Sequence, residues 1–310
     1  MKIDVFAHIL PERYLAALRE KIGPEAEFRE AQNRAVTDIE MRRRLMSRYP
    51  DVLQVLTVSL PPLETLVSPE DAVELARIAN DELAELVDSY PDKFAGAVAC
   101  LPLNDIEAAL TEADRTISQL GFKGVQIFSN IDGEPLDSPK FKPLYAKMAY
   151  YDCPLWIHPW VDRKQPRETQ FALDEETGAA MSRLVSSGVF LDHPDIKFIT
   201  HHCGGITPLF DGRIERMHPI IYSEGRRIHV LEHLRKFYGD TACSGSTAAL
   251  MCGYNLFGAE RILFATDAPL GPPYGLTWET IKSVERMSIP DIEKEKIFER
   301  NAIELLRIAL

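Results

Sequence analysis

Cysteine is scarce in this sequence, and long hydrophobic runs are missing. The cysteines are odd in number and show no CxxC spacing, so neither a disulfide framework nor a thiolate zinc site is predicted; they are Cys100, Cys153, Cys203, Cys243 and Cys252. No apolar run approaches the roughly 20 residues of a membrane span, and the initial MKIDVFAHILP lacks the apolar stretch of a signal peptide. We therefore expect a cytoplasmic protein with no membrane partner.

Positive charge is also in the minority. Lys plus Arg total 35 against 47 for Asp plus Glu, which gives a formal net charge of -12. That balance argues against nucleic acid as the main partner, although a small anionic substrate can still bind beside a local arginine or lysine. Neither of the glycine-rich phosphate-binding motifs GxGxxG and GxxxxGK[ST] follows a predicted strand. No organic cofactor is therefore expected.

The 310 residues are 45% hydrophobic and 26% charged, which is typical of a globular chain with a large core. Short apolar runs alternate with amphipathic stretches such as 69–90 and 105–120. Eight of these runs are candidate strands: IDVF near residue 3, VLQVLTV near 52, FAGAVAC near 94, KGVQIF near 123, PLWIH near 154, IKFIT near 196, KFYGD near 236 and RILFAT near 261. Strand followed by helix, eight times over, predicts an α/β fold, a (β/α)8 TIM barrel.

Two segments exceed what such a barrel needs. Residues 9–51, after the first strand, are predicted to place a lid over the active-site face. This insertion includes a helix in DIEMRRRLMSRY that Asp38 caps, with Arg42, Arg43 and Arg44 as an external charged face. The final IPDIEKEKIFERNAIELLRIAL is predicted to be a closing helix pair. Since no Gly/Ser linker or charge block divides the chain, residues 1–310 are predicted to form a single domain.

Polar residues that suit a metal follow four predicted strands. They are His8, His158, the adjacent His201 and His202, and Asp267. Barrel enzymes carry their catalytic groups at the carboxyl ends of strands. Imidazoles and a carboxylate that converge there are ligand types that suit zinc, manganese or iron(II).

Several motifs together resemble the amidohydrolase superfamily. They are IDVFAHILP, PDKFAGAVACLPL, GFKGVQ, CPLWIHPW, the HCGG of FITHHCGGITP, and RILFATDAP. Within the superfamily they resemble the branch of aminocarboxymuconate-semialdehyde decarboxylase and γ-resorcylate decarboxylase, and the matching segments span almost the whole chain.

The resemblance implies that His8, His158 and Asp267 are metal ligands, with Zn²⁺ as the expected ion and Mn²⁺ as the alternative. It implies that His202, which heads the HCGG pattern, acts as acid/base or completes the metal shell, and that Asp267 also relays protons. Adjacent strand residues face opposite ways, so only one of His201 and His202 can enter the barrel mouth by regular geometry. We choose His202.

The sequence departs from the family at Phe6. Regular alternation places Asp4, Phe6 and His8 on one inward face, with Asp4 as a buried supporting group. The family usually has a ligand two residues before the position of His8, whereas phenylalanine cannot coordinate a metal. Three outcomes stay open: a metal held by the remaining ligands and water, a weaker site that fills only with substrate, or a metal-free enzyme.

Four further residues are candidates around the site. Arg29 and Arg34, in the loop after strand 1 where the resembling decarboxylase uses an arginine, either clamp a substrate carboxylate or are solvated. Trp160 either stacks on a flat substrate or packs in the core. Asp240, at the end of strand 7, is a candidate to orient a ligand histidine.

These features predict a metal-dependent, non-oxidative decarboxylase of a small aromatic or unsaturated carboxylic acid. A metal-dependent hydrolase or hydratase of the same superfamily, acting on a lactone or an alkene, is the main alternative. A non-catalytic barrel with a degenerate metal site is a third. The resemblance also implies a homodimer.

Overall fold

Eight parallel strands form the centre of the molecule. The computed structural model describes residues 1–23, 30–59, 61–161, 170–271 and 275–309. The strands are β1 (Lys2–Ile9), β2 (Val52–Val58), β3 (Phe94–Ala97), β4 (Val125–Phe128), β5 (Leu155–His158), β6 (Phe198–Thr200), β7 (Tyr238–Asp240) and β8 (Ile262–Leu263). Each strand lies within or overlaps one of the apolar runs in the sequence, so the strand predictions are confirmed.

Neighbouring strands pair in parallel and in chain order. One sheet contains β1, β2 and β3, and a second contains β4 to β8. Backbone hydrogen bonds link the two sheets at both edges: Ala99 N–H donates to Gly124 O at 2.9 Å, and Val5 N–H donates to Phe264 O at 2.9 Å. The predicted α/β class is confirmed, and the carboxyl ends of the parallel strands lie together.

Helices fill the connections between these strands. They are α1 (Glu12–Ile22), α2 (Arg34–Thr37), α3 (Ile39–Met46), α4 (Pro69–Ser89), α5 (Ile106–Ser118), α6 (Lys142–Tyr151), α7 (Ala172–Ser187), α8 (Val189–Asp192), α9 (Asp211–Met217), α10 (Val230–Leu234), α11 (Thr247–Phe257), α12 (Thr277–Glu285), α13 (Asp291–Glu295) and α14 (Asn301–Leu306). Short 3-10 segments are Glu30–Gln32, Leu63–Thr65, Pro139–Phe141, His201–Gly204, Thr207–Phe210 and Ala259–Arg261. Antiparallel hairpins join Asn130–Ile131 to Glu134–Pro135 and Ile220–Ser223 to Arg226–His229. Within the described ranges, no helix is long and apolar enough to cross a membrane.

Side-chain caps explain where several helices begin. The predicted amphipathic stretches correspond to α4 and α5, which begin after Ser68 and Asp105, and each cap accepts a hydrogen bond from a backbone N–H of the first turn. Asp38 does the same for α3, since its carboxylate accepts from Met41 N–H at 2.9 Å. Such caps satisfy amides that have no partner within the helix. The predicted cap at Asp38 is confirmed.

The carboxyl-terminal segment differs from its prediction. α13, the π-helical Lys296–Arg300 and α14 follow one another with right-handed helical angles at each junction. The predicted helix pair is therefore wrong, and the segment is one continuous helical run. The physical reason is that DIEKEKIFERNAIELL contains no glycine or proline to end a helix. Leu305 and Leu306 pack against the cluster of Ile3 and Val5 in β1.

The regular alternation predicted for β1 is interrupted by a β-bulge. Asp4 pairs with Gln54, whereas Ala7 pairs with Leu56, so β1 uses one more residue than β2 over this stretch. Phe6 consequently packs in an inner cluster with Val55, Trp156 and Ile199. Asp4 faces the other side of the sheet, where Gln54 donates to it. The predicted common inward face of Asp4 and Phe6 is wrong, because a bulge cannot be recognised from an alternating pattern of side chains.

Arg42 of α3 is buried on this outer side of β1 and β2. Its guanidinium donates to His8 O at 2.5 Å and to Gln54 Oε1 from Nε at 3.0 Å and Nη2 at 2.9 Å. Gln54 Nε2 donates to Asp4 Oδ2 at 3.3 Å, and Asp4 accepts from Thr266 N–H at 3.0 Å and Thr266 Oγ1 at 2.5 Å. This network joins the strand that carries His8 to the residue that precedes Asp267.

The prediction of an external charged face is therefore wrong at Arg42. Arg42 lies three residues after Ile39 and four before Met46, so it shares the helix face that packs against the sheet. Burial lowers the pKa of Arg42 to about 10, and burial raises the pKa of Asp4 to about 6 despite its hydrogen bonds to Thr266.

Replacing Arg42 with methionine is expected to lower the free energy of unfolding by about 3 kcal/mol. Methionine keeps much of the buried apolar volume, but it leaves His8 O and Gln54 Oε1 without their charged donor. Urea unfolding of Arg42→Met and of the exposed neighbour Arg44→Met provides the comparison. Equal stabilities of the two variants would contradict the assigned role of Arg42.

Candidate metal centre

Three histidines from three different strands meet at the carboxyl ends of the sheets. His8 lies in β1, His158 ends β5, and His201 follows β6. All three residues are buried, and each offers a ring nitrogen within 4.8 Å of those of the other two. The parallel strands bring these distant positions together, as the strand-end pattern predicted for His8 and His158.

Each histidine has its Nδ1 atom held by a neighbouring oxygen. Nδ1 of His8 lies 3.0 Å from Thr57 Oγ1, and Nδ1 of His158 lies 2.8 Å from the carbonyl oxygen of Pro159. Nδ1 of His201 lies 2.5 Å from Asp240 Oδ2. When Nδ1 is the donor, the Nε2 lone pair of the ring is directed elsewhere and can bind a metal.

Asp267 places a carboxylate beside two of these Nε2 atoms. Its Oδ1 lies 3.0 Å from His8 Nε2 and 3.2 Å from His201 Nε2. The approach to His8 is not aligned as a hydrogen bond, so His8 Nε2 is a buried nitrogen without a hydrogen-bond partner among the described residues. Three imidazoles and a carboxylate, with one buried nitrogen unpaired, fit a divalent cation such as Zn²⁺ or Mn²⁺.

The backbone of Asp267 has an unusual conformation. Its φ of 61° lies in the left-handed region, which non-glycine residues seldom occupy. Two hydrogen bonds stabilise this turn: Leu270 N–H donates to Asp267 O at 2.9 Å, and Ala268 N–H donates to Thr266 Oγ1 at 3.1 Å. The turn therefore directs the carboxylate of Asp267 toward the histidines.

Burial and neighbouring charged groups shift the pKa of each residue in the cluster. Burial lowers the pKa of His8, and burial together with the neighbouring histidines lowers the pKa of His158 well below its usual value. Burial also opposes the charged form of His201, but Asp240 and Asp267 outweigh it and raise the pKa of His201 to about 10. Although burial raises it, the pKa of Asp267 is held well below its usual value by its hydrogen bond with His201 and by the adjacent ring of His8.

Both histidines of the HisHis pair lie near the cluster, which corrects the prediction that regular geometry admits only one. β6 ends at Thr200, and His202 has a φ of 53°, so strand alternation does not apply after Thr200. His201 enters the buried cluster, and His202 stacks on it with ring centroids 4.2 Å apart. His202 Nδ1 lies 3.6 Å from Asp174 Oδ1.

Asp240 lies where the sequence predicted it. Its side chain is fully buried, and Oδ2 binds the ring of His201 while Oδ1 accepts from Cys203 N–H at 3.1 Å and Ala242 N–H at 3.0 Å. These bonds fix the carboxylate and, through it, the orientation of the His201 ring.

Phe6 packs against all three histidines of the cluster. Its ring stacks on His201 with centroids 4.0 Å apart, and it lies 5.3 Å from the ring of His8 and 5.8 Å from the ring of His158. The side chain is completely buried. An apolar ring, which has no atom that can bind a metal, thus packs against the candidate ligands.

The predicted substrate-binding residues have different surroundings. The Arg34 side chain is 76% exposed and pairs with Asp38 at 3.0 Å, so the structure does not bring it into the histidine cluster. Arg29 lies outside the described residues. Trp160 is half-buried against the core, and its backbone bonds to Ser129 and Asn130 fix the loop after β5.

A further acidic group near the carboxyl ends of the strands escaped the sequence interpretation. Glu64, in the connection after β2, is buried, and its Oε2 has no hydrogen-bond partner in the described parts of the chain. Its Oε1 accepts from Leu103 N–H at 3.3 Å. Burial raises the pKa of Glu64 from 4.5 to about 7.

Glu64 is expected to make the protein less stable as the pH rises from about 4.5 to about 7. Its pKa is higher in the folded than in the unfolded state, so the folded state holds the proton more tightly in that window, and stability falls by about 3 kcal/mol in total. Glu64→Gln should remove this part of the pH dependence, whereas the exposed Glu70→Gln should not. Urea unfolding across the window tests this; identical slopes in wild type and Glu64→Gln would contradict it.

Comparison with known proteins identifies the family. Residues 3–308 match the sequence profile of the amidohydrolase family, so the chain belongs to that family. The 2-amino-3-carboxymuconate-6-semialdehyde decarboxylase of Dictyostelium discoideum is 28% identical over 334 residues, which cover 99% of this chain and 91% of that protein. The γ-resorcylate decarboxylase of Rhodococcus jostii is 29% identical over 310 residues, which cover 92% of each chain.

A solved structure extends the similarity to three dimensions. The dihydroxybenzoic acid decarboxylase from Polaromonas sp., solved with bound manganese and the inhibitor 2-nitroresorcinol, has a TM-score of 0.83 at 27% identity. The match covers 99% of this chain and 96% of that one. The predicted family is confirmed, and the predicted enzyme class, a carboxy-lyase of the amidohydrolase superfamily, agrees with these relatives.

Proposed function

We propose that this protein is a metal-dependent, non-oxidative decarboxylase of a small aromatic carboxylic acid. The observation that carries the proposal is the set of three buried imidazoles whose Nδ1 atoms are engaged, with Asp267 Oδ1 beside the Nε2 atoms of His8 and His201. The similarity of this chain, along nearly its whole length, to decarboxylases supports the choice of reaction.

The proposed framework is a single (β/α)8 barrel that spans residues 1–310. Hydrogen bonds at both edges of the two sheets support closure of the barrel. We further propose that the segment between β1 and β2 covers the site, because Asn33 Nδ2 donates to Pro269 O at 2.7 Å, two residues beyond Asp267. The homodimer and the cytoplasmic location remain predictions.

We propose that His8, His158, His201 and Asp267 hold the metal, with His201 supplying the donor that Phe6 lacks. A bound divalent cation supplies a Lewis acid that withdraws electron density from the substrate. Zn²⁺ suits this donor set, and Mn²⁺ is the alternative that the Polaromonas relative contains. Asp240 keeps the His201 ring in the orientation that directs Nε2 into the site.

His202 is the proposed proton donor in the reaction. The bond between the substrate carbon and its carboxylate breaks, the electron pair stays on the carbon, and carbon dioxide leaves. A proton from the ring of His202 forms the new carbon–hydrogen bond, and water returns a proton to His202. Its partial exposure, 20% of the side chain, allows contact with both substrate and solvent. Trp160 is the proposed flat surface beside the substrate ring.

Release of carbon dioxide by metal-loaded protein tests this proposal. The protein is freed of metal with EDTA, reloaded with Mn²⁺ or Zn²⁺, and assayed with hydroxybenzoates, aminocarboxymuconate-like acids and a panel of lactones. We expect carbon dioxide from a carboxylic acid with the reloaded protein, and none after EDTA or with His158→Ala. Opening of a lactone without decarboxylation of any acid would contradict the proposal and favour the hydrolase alternative.

A further inference from the structure

The position of the ring proton on His8 decides whether its Nε2 atom can bind a metal. A neutral imidazole carries one proton, on Nδ1 or on Nε2, and only the nitrogen without the proton can act as a ligand. His8 is fully buried, and burial lowers its pKa, so the neutral ring is favoured. The groups around the ring therefore determine which nitrogen is free.

The other two histidines of the cluster have neighbours that can only accept a hydrogen bond at Nδ1. His158 Nδ1 lies beside the carbonyl oxygen of Pro159, and His201 Nδ1 lies beside the carboxylate of Asp240. Carbonyl and carboxylate oxygens have no proton to donate, so both rings carry a proton on Nδ1.

The corresponding neighbour of His8 is a hydroxyl group, which can either donate or accept. Thr57 is fully buried, and its Oγ1 lies 3.0 Å from His8 Nδ1. The same hydroxyl donates to Ala7 O at 3.5 Å. With its own proton directed at Ala7 O, the hydroxyl oxygen presents a lone pair to His8 and accepts from Nδ1.

The opposite tautomer of His8 lacks a good partner on the other side of the ring. Asp267 Oδ1 lies 3.0 Å from Nε2 but is not aligned as an acceptor, and Nε2 has no hydrogen-bond partner in the described parts of the chain. A proton on Nε2 would therefore be a buried donor without a hydrogen bond, which costs about 1–3 kcal/mol. The contacts on both sides favour the proton on Nδ1.

The bulge in β1 brings the hydroxyl of Thr57 opposite His8. Asp4 pairs with Gln54, so regular pairing would place His8, four residues further on, opposite Val58. The extra residue of the bulge shifts the register, and His8 pairs with Thr57 instead. Paired residues of neighbouring parallel strands project to the same face of a sheet. Valine offers no acceptor, so the shift supplies the partner of Nδ1.

We infer that Thr57 is a positioning residue that selects the tautomer of His8 in which Nε2 is free to bind a metal. The inference rests on the proposed metal centre and adds to it a residue that acts through His8. Thr57 accepts from Nδ1 and donates to Ala7 O, so the ring proton is in place before an ion arrives. Metal binding then does not have to move that proton.

Nuclear magnetic resonance of metal-free protein labelled with nitrogen-15 in its histidines tests the tautomer directly. Spectra are recorded at about pH 8, above the ordinary pKa of histidine, and the signals of His8 are identified by their absence from His8→Gln. We expect Nδ1 to carry the proton in the wild type and in Thr57→Ser, which keeps the hydroxyl. Thr57→Val has nearly the same shape but no acceptor, so we expect its His8 proton to move to Nε2.

Calorimetric titration with Mn²⁺ measures the consequence for the metal site. We expect Thr57→Val to weaken the binding of Mn²⁺ about 10- to 100-fold, and Thr57→Ser to stay within about threefold of the wild type. The exposed Thr111→Val is the matched control, and it is expected to equal the wild type in both measurements.

A proton on Nε2 of His8 in the wild type overturns the inference, and so does an unchanged tautomer or an unchanged Mn²⁺ affinity in Thr57→Val. Equal losses in Thr57→Val and Thr57→Ser also overturn it, because the hydroxyl is then not the cause. If the wild type binds no Mn²⁺, the proposed function fails, whereas the spectra of the metal-free protein still decide whether Thr57 selects the tautomer.

Discussion

Asp267→Asn is expected to lower the affinity for Mn²⁺ at least about 100-fold and to slow decarboxylation by about 1000-fold. Oδ1 of Asp267 lies within 3.2 Å of Nε2 atoms of both His8 and His201, so it contributes the only carboxylate in direct contact with both rings among the described residues. Asparagine has nearly the same shape but no negative charge to balance a divalent cation.

The control for this prediction is Asp291→Asn. Asp291 has a 98% exposed side chain and forms only a surface pair with Lys294 among its described contacts. Calorimetric titration with Mn²⁺ and a carbon dioxide assay should separate the two variants clearly. Retention of wild-type metal affinity by Asp267→Asn would show that this carboxylate is not a ligand.

Phe6→His is expected to bind Mn²⁺ about tenfold more tightly than the wild type. The Phe6 ring lies 4.0 Å from the ring of His201 and 5.3 Å from that of His8, so an imidazole in its place adds a nitrogen donor to the candidate ligands. Without metal, the buried imidazole has to find a polar partner in an apolar position, which costs about 1–3 kcal/mol. Metal should therefore raise the melting temperature of this variant more than that of the wild type.

Phe6→Leu is the control that separates the effect of a new metal ligand on Mn²⁺ affinity from the effect of losing the aromatic ring. Leucine is apolar like phenylalanine, and it offers no metal ligand, so it is expected to give no gain in Mn²⁺ affinity. Melting temperatures and calorimetric titrations with and without Mn²⁺ are compared for the two variants. A gain in Phe6→Leu equal to that in Phe6→His would mean that removal of the ring, and not a new ligand, changes the site.

The strands were predictable because each is a short apolar run followed by a helical stretch. The details of β1 were not, since the bulge between Asp4 and Ala7 depends on pairing with β2 and has no local signal in the sequence. The carboxyl-terminal helical run illustrates the opposite case. Its sequence contains no helix breaker, and attention to that absence predicts the continuous run that the structure has.

The candidate site was predictable where a polar residue lies at or shortly after the end of a strand. His158 and Asp240 end β5 and β7, His8 lies near the end of β1, and Asp267 follows β8 by four residues. The choice between His201 and His202 required the exact end of β6 at Thr200, which the sequence does not reveal.

Two kinds of residue needed the structure for their interpretation. Arg42 shares a helix face with Met46, and this spacing is a usable signal of burial even for a charged residue. Glu64 carries no such signal, because its burial and the lack of a partner for its Oε2 among the described residues are visible only in three dimensions. Trp160 packs against the core, and its contact with the substrate stays a prediction.

The most direct test of the account is a calorimetric titration of EDTA-treated protein with Mn²⁺ and with Zn²⁺. Three histidine nitrogens within 4.8 Å of one another, with the Asp267 carboxylate beside two of them, predict saturable binding of a single ion per chain, which His158→Ala should abolish. Such binding should also raise the melting temperature of the wild type. Failure of both ions to bind the wild-type protein would contradict the metal centre and the mechanism built on it.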